Sequence, residues 1–470
     1  MSNDKTEFSE YKIQIGTEDL IESKVLPLIA EDPEGADADF SKAKKKLLEV
    51  LKETRVRMGT LLKTDNVSFL IGAGASISAG GVSLANIPKP LEDALLTESE
   101  SEKTKSGAPA WIHCFYETAS LISGKSYSFD DHQAKCPLAD DKETEAISIN
   151  LEDYLSHLHM WRSGIGSFTD AIKIGRTGSE DLILEKGNLE TLIRIVTGCL
   201  TDLINLPAAG KESELGVHRK FIKKILTRPL NLRRANLFTL NYDTLIEQGA
   251  DAEGAVLVDG FVGNMKRVFR PESYDLDFYF PAQTTEGRVH RFDRALHLYK
   301  LHGSITWYRT DQGWENPYGL YATFFNQQCK DDDVLIYPSP LKYGQALGLP
   351  YSELFRRFGN AVVQPQSVLF TIGYGFGDEH VNAIIRQALA IPSFTLIVVD
   401  PNPSSDFVKE LQKIGDERVW IVSGWDIGTF SNFVKQLLPD LREEEIDAKV
   451  MKTFKALAFK ETPAEVDDGE

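Results

Sequence analysis

The 470-residue sequence has only four cysteines, Cys114, Cys136, Cys199 and Cys329. They stand far apart and form no C-x-x-C pair, so neither a zinc ribbon nor a dense disulfide framework is signalled. No run of about 18 apolar residues occurs, which leaves no candidate for a membrane-spanning helix. The N-terminus is polar and acidic with no apolar stretch behind it, unlike a secretory leader, and the expected compartment is the cytoplasm. Positive charge is also short: 52 Lys and Arg face 70 Asp and Glu, for a net charge of −18. Wrapping a nucleic-acid backbone requires clustered cations, so broad nonspecific binding is not expected. A local basic patch remains open to it. What is present is an ordinary globular composition, 42% hydrophobic and 26% charged, which excludes global disorder and requires a buried core.

The chain divides by pattern. Residues 1–40 are polar and end in an acidic run at 31–39, which reads as an arm available to a partner. From Ser41, Leu47, Val50, Leu51, Met58, Leu61 and Leu62 recur near helical spacing, with lysines and arginines on the other faces, so an amphipathic helix is predicted. Residues 67–71 form a short apolar run that stops at Gly72-Ala73-Gly74-Ala75-Ser76, the pattern of a buried parallel strand feeding a glycine turn and a helix. Residues 97–107 and 123–145 read as exposed loops, and the helical periodicity around them marks 90–228 as a largely helical insertion. Three further apolar runs, 236–240, 368–372 and 394–399, end in Asn241-Tyr242-Asp243, Gly373-Tyr374-Gly375 and Asp400-Pro401-Asn402. Strands that end in Gly, Asn or Asp are how a doubly wound sheet presents ligand loops at its carboxyl edge, and four such ends point to one crevice. The predicted architecture is an α/β, doubly wound, Rossmann-like parallel sheet made of 41–89 and 229–440. A helix and acidic tail are predicted to fill 441–470.

A strand ending in G-x-G lets backbone approach a diphosphate, whose charge then meets free N–H groups and the positive end of the next helix. The full dinucleotide fingerprint is not met, because Ile77 stands three residues after Gly74, and no Gly-Lys-Ser/Thr follows to make a Walker loop. A plain structural turn and a phosphate turn both fit the local pattern.

Four blocks carry a resemblance. Residues 72–80, Gly-Ala-Gly-Ala-Ser-Ile-Ser-Ala-Gly, resemble the first turn of the sirtuin (silent-information-regulator) family. Thr239-Leu240-Asn241-Tyr242-Asp243 resembles the family's T-Q-N-I-D block, and Lys300-Leu301-His302-Gly303-Ser304 its H-G-S block. Gly373-Tyr374-Gly375-Phe376-Gly377-Asp378 resembles the G-Y-S-F-G-D block of bacterial sirtuin-like proteins. Two features depart from the protein deacylases of that family. Gly81-Val82-Ser83-Leu84-Ala85 replaces I-P-D-F-R, and the paired zinc cysteines after the H-G-S block are missing, so no zinc module and no metal are expected. The resemblance therefore points to bacterial sirtuin-like NAD hydrolases of antiphage defence, in particular those paired with a HerA-like ATPase.

What the resemblance implies is an NAD+ glycohydrolase with NAD as substrate, held as a homo-oligomer and gated by the partner ATPase. Asn241 would hold the ribose and attacking water, and His302 would be the general base, a role that suits imidazole near neutrality. Asp243 would contact the nicotinamide amide, Ser76 and the backbone of Ala73 the phosphate or ribose, and Asp400 the adenosine ribose. Gly72, Gly74, Gly373 and Tyr374 would line the same crevice. On residue type alone, Asn241 could equally cap a helix beginning at Asp243, Asp243 could be a first-turn acid, and Tyr374 could be core. His157 and His159 lie two apart and would point to different helix faces, which argues against a metal pair. The basic stretch Arg219, Lys220, Lys223, Lys224, Arg228, Arg233 and Arg234 is a solvated face or a nucleic-acid or subunit contact. Protein deacylation, ADP-ribosyl transfer and a non-catalytic NAD or ADP-ribose sensor are the competing functions.

Overall fold

The computed structural model describes residues 8, 11–29, 36–82, 86–102, 108–129, 147, 149, 151–168, 171–174, 182–208, 210–264, 266–280, 290–309, 312–323 and 349–443. The C-terminal helix and tail expected beyond residue 443, the acidic run at 31–35 and most of the polar stretch at 123–145 lie outside them.

The strands are β1 (Lys12–Ile15), β2 (Glu18–Asp19), β3 (Asn66–Ile71), the hairpin β4 (Ala171–Ile174) and β5 (Leu182–Glu185), β6 (Asn236–Thr239), β7 (Val256–Val258), β8 (Phe261–Val262), β9 (Arg267–Phe269), β10 (Ala295–Lys300), β11 (Trp307–Arg309), β12 (Leu320–Ala322), β13 (Ser367–Ile372), β14 (Thr395–Val399) and β15 (Val419–Ser423). The main sheet has the order β2-β1-β15-β14-β13-β3-β6-β10-β7. From β7 to β15 every pair is parallel. Leaving aside the short edge strand β7 and counting from β3, the order β10-β6-β3-β13-β14-β15 runs third, second, first, fourth, fifth, sixth. That is the doubly wound arrangement, and its strand order reverses between β3 and β13.

Burial on both faces explains the apolar runs. Val67, Phe69 and Ile71 of β3, with Val368, Phe370 and Ile372 of β13, enter one core layer, while Leu70 and Leu369 enter the other. This is the period-two alternation of a strand covered on both sides. Phe69 and Phe370 stack across the two strands with centroids 4.9 Å apart. The helix Ala36–Leu61 covers the first face through Leu47, Val50, Leu51 and Met58, as its spacing predicts, joined by the helix Leu215–Ile225. Helices Tyr351–Val362, Glu379–Leu389 and Asp406–Ile414 cover the second.

Three expectations are corrected. The N-terminal arm is in part built into the fold: β1 pairs antiparallel with β15, and Phe8, Ile13, Leu20, Ile21 and Val25 are buried. Polar composition concealed these few apolar anchors, which cover an otherwise open sheet edge. Residues 97–101 belong to the helix Pro88–Ser101 rather than to a loop, because Leu91, Leu95 and Leu96 bury one side of it. The segment 90–228 is not one packing unit either. Its helices Pro88–Ser101, Ala110–Ser123, Leu151–Phe168 and Lys186–Ile204 share a separate core, whereas Leu215–Ile225 packs on the main sheet through Val217, Phe221 and Ile222. A second small sheet, β11-β12-β9-β8, joins two strands that precede β10 to two that follow it.

Candidate functional site

The carboxyl ends of β3, β6, β10 and β13 open into one cavity of about 330 Å³. It lies at the point where the strand order reverses, and the separate helical core roofs it with Leu151, Leu155, Leu200, Leu203 and Ile204.

Three glycines bring the strand ends together. Gly74 N–H donates to Gly373 O at 2.9 Å, and Gly72 N–H to Ile372 O at 3.0 Å. A Cβ on Gly72 would stand 2.5 Å from Gly373 O, and one on Gly373, which has φ +61°, would stand 2.6 Å from Ala75 N. The turn is therefore built for backbone-to-backbone contact. No α-helix follows it within residues 73–82. Two 3₁₀ turns, Ala73–Ala75 and Ile77–Ala79, close at Gly80 with φ +95°. The N–H groups of Gly74, Ala75 and Ser76 are engaged by Gly373, Gly72 and Ala73 carbonyls. The anion cradle expected of Gly74 and a following helix dipole is thus absent: Gly72, Ala73 and Ser76 line the cavity, and Gly74 instead welds the turn to β13.

Ser76, Asn241 and Asp243 form one hydrogen-bonded group. Asn241 Nδ2 donates to Gly72 O (3.0 Å) and Ser76 Oγ (2.9 Å), and Ser76 Oγ donates to Asp243 Oδ2 (2.6 Å). With both amide hydrogens engaged, Asn241 presents Oδ1 as its remaining acceptor. Asn241 is not a helix cap. The helix Leu245–Ala252 starts later, and Asp243 Oδ1 accepts from Leu245 N–H at 3.0 Å. Asp243 thus anchors the helix start as well as Ser76. Beneath this loop, Lys300, 2% exposed, donates to the carbonyls of Tyr242 and Asp243 and to Glu247 Oε1 at 2.8 Å. Burial pushes the Glu247 carboxyl up while Lys300 opposes it. Close by, burial lowers the pKa of His218 to about 4 despite the attraction of Asp243.

His302 reaches the cavity from just beyond β10. Its Nε2 lies 3.0 Å from Asp378 Oδ2, and both side chains are buried. Asp378 Oδ1 accepts from the N–H groups of His380 and Val381, capping the helix Glu379–Leu389. One carboxylate therefore ties His302 to a helix start, where negative charge is favoured. Tyr374 both lines the cavity and packs in the core. Its hydroxyl donates to Asn382 Oδ1 (2.9 Å) and accepts from Asp378 N–H (3.3 Å), while Asn382 Nδ2 holds Phe376 O at 2.9 Å. Burial, then the Asp378 charge, pushes the Tyr374 phenol up. Phe376, at φ +56°, is held in the left-handed region by this network.

Asp400 does not join the group. It follows β14, accepts from Asn402 N–H at 2.8 Å, and is not among the residues lining the cavity. Its carboxyl is raised by burial. The basic stretch divides between buried and exposed side chains. Lys224 is buried against the Val434 and Leu438 carbonyls, Arg228 against those of Leu62, Thr64 and Arg233, and Arg234 pairs with Asp277. Arg219 pairs with Glu253. Lys224, Arg228 and Arg234 thus close carbonyl ends or pair within the fold, while Arg219, Lys220, Lys223 and Arg233 are exposed. His157 Nδ1 meets its own helix at Asp153 O (2.7 Å), and no metal-holding cluster occurs among the described residues.

Sequence reasoning missed Asp378, Lys300 and the apolar roof as site-forming residues. Asp378 had a signal, an Asp immediately before a helical run. Lys300 had only an unusual position for a cation, the end of an apolar strand. The roof leucines carried none, since they read simply as helix core.

Residues 235–417 match the family model described as SIR2-like domain. The span holds Asn241, Asp243, His302 and Asp378 and does not reach the glycine turn. No curated protein matches the chain. Among solved structures, a Sir2 homologue in complex with NAD shares 12% identity at TM-score 0.38, covering 84% of this chain and 94% of that one. A Sir2 homologue mutant in complex with ADP-ribose shares 12% identity at TM-score 0.30, covering 79% and 95%. The fold assignment rests on the strand order rather than on these likenesses.

Proposed function

We propose that this chain is an NAD+ glycohydrolase, converting NAD+ and water to ADP-ribose, nicotinamide and a proton. One observation carries the reading: the Ser76–Asn241–Asp243 group and the His302–Asp378 pair line one cavity at the reversal point of a doubly wound sheet. The residues fit the substrate. Gly375 and Gly377 line the cavity with open space where a Cβ would be, leaving room beside the backbone, and the leucine roof suits a flat nicotinamide ring. At about 330 Å³ the cavity is at the small end of ligand sites, so it takes the nicotinamide riboside half, and the adenosine half extends outside it.

In this reading the C1′–N bond breaks with its electron pair returning to the pyridine nitrogen, and positive charge develops on the ribose. Asn241 Oδ1 accepts from the attacking water or a ribose hydroxyl and fixes it on one face. His302 takes the water's proton and passes it to solvent, with Asp378 holding the ring. The roof limits water near the reacting carbon. Cytoplasmic NAD depletion in antiphage defence, homo-oligomerisation and gating by a HerA-like ATPase belong to the same proposal and rest on the resemblance of the four blocks.

The test is chromatography of nicotinamide and ADP-ribose after incubation with NAD+, for the chain alone and with a co-encoded ATPase and DNA. Release that disappears in Asn241→Ala and His302→Ala supports the proposal. Binding of NAD+ without release in every combination would make the chain a sensor. One-to-one loss of NAD+ and an acetyl-lysine peptide would make it a deacylase.

A further inference from the structure

A larger cavity, about 620 Å³, opens at the opposite, amino-terminal edge of the same sheet, where β3 and β6 begin at Asn66 and Asn236. We propose that it is a second ligand site, separate from the glycohydrolase cavity, for a phosphorylated nucleotide.

Charge is the first argument. Five guanidinium groups line it, those of Arg233, Arg234, Arg291, Arg356 and Arg357, against two lining carboxylates, Asp275 and Asp277. A third carboxylate, Glu353, binds Arg356 and Arg357 from the side. The cluster thus keeps an excess of two positive charges within a chain of net charge −18.

The pairing shows which arginines are available. Arg234 and Arg291 share Asp277 at 2.6 and 2.7 Å and also close backbone carbonyls, so they are structural. Arg233 meets only the amide oxygens of Asn66 (3.2 Å) and Gln364 (3.4 Å) and has no carboxylate partner among the described residues. Arg356 is exposed and held two-pronged by Glu353, and Arg357 pairs with Glu353 and with Asp275, whose carboxylate is largely in solvent. A solvent-facing pair of this kind is worth little and exchanges readily for a phosphate, which guanidinium forks bind in two-pronged fashion.

The rest of the lining fits the remainder of a nucleotide. Asn360 and Gln364 supply amides, and His297 Nε2, buried at the wall, has no hydrogen-bond partner among the described residues. The stacked Tyr274 and Tyr299 rings, 4.2 Å apart, form a rigid wall, and the Arg357 guanidinium lies 5.2 Å from the Tyr274 ring centroid. The volume lies in the range of nucleotide-sized sites. Inorganic phosphate would use the arginines alone.

The experiment is calorimetric titration of the full chain with ADP, and separately with inorganic phosphate, combined with hydrogen-exchange mapping. ADP should protect residues 232–236, 272–277 and 356–364, and Arg233→Ala with Arg356→Ala should weaken that binding at least about tenfold. Arg233→Lys with Arg356→Lys, which keeps the charge and loses the forks, should weaken it by less while leaving the unfolding midpoint unchanged. Protection confined to 72–82 and 241–243, or unchanged affinity in both double variants, overturns the site. Phosphate binding as tightly as ADP overturns the nucleotide assignment.

Discussion

The imidazole Nε2 of His302 lies 3.0 Å from Asp378 Oδ2, joining two residues 76 positions apart in sequence. Because Asp378 also caps the helix Glu379–Leu389, the orientation of His302 is set by a helix start rather than by a loop. An anchor of that kind keeps a base in place without further ordering when substrate arrives.

Asp378→Asn tests that relationship. The amide can still cap the helix, but it removes the charge that fixes the ring and its tautomer. NAD+ hydrolysis should fall about 10- to 100-fold in kcat with KM little changed, against a loss of at least about 100-fold for His302→Ala. Steady-state kinetics with a thermal-unfolding control decides it: a KM effect alone would count against a positioning role.

The glycines at the strand reversal make opposite predictions. Gly373→Ala places a Cβ 2.6 Å from Ala75 N at φ +61°, whereas Gly375→Ala meets nothing within 4 Å. Urea unfolding should show the first destabilised by more than about 2 kcal/mol. The second should be within about 0.5 kcal/mol of wild type. Equal effects in the two would show that the turn is not in backbone contact with β13.

Lys300 should matter through the charge it answers. Lys300→Met leaves Glu247 without its cation and takes from the Asp243 carbonyl its ammonium donor, at a cost of about 3 kcal/mol. Adding Glu247→Gln should recover part of that loss. A double variant no more stable than the single one would remove the ion pair from the explanation.

His218 gives a pH dependence. Its pKa falls from 6.5 to about 4 on folding because burial disfavours the imidazolium. Between those values the unfolded chain binds a proton that the folded one does not, so stability declines as pH falls from 6.5 to about 4. Relative to wild type, His218→Gln should flatten that window in unfolding curves taken at fixed pH steps. Identical slopes for the two proteins would count against it.

Strands β3, β6, β13 and β14 of the main sheet and the amphipathic helix from Ser41 were legible in the sequence, because double-sided burial imposes continuous apolar runs and single-sided burial a helical period. The residues at the strand ends were legible too, since Gly, Asn and His at those places serve either tight turns or chemistry. Burial of the N-terminal segment was not, because Ile13, Leu20 and Val25 acquire a partner only when β15 forms an edge. Nor was the function of the basic stretch, since a lysine that closes a helix end and one that faces water are the same letter. Local periodicity records which face of an element is buried. Only the tertiary structure decided what that face is buried against, and with it which carboxylate answers His302, which helices roof the cavity and which arginines gather at the far edge of the sheet.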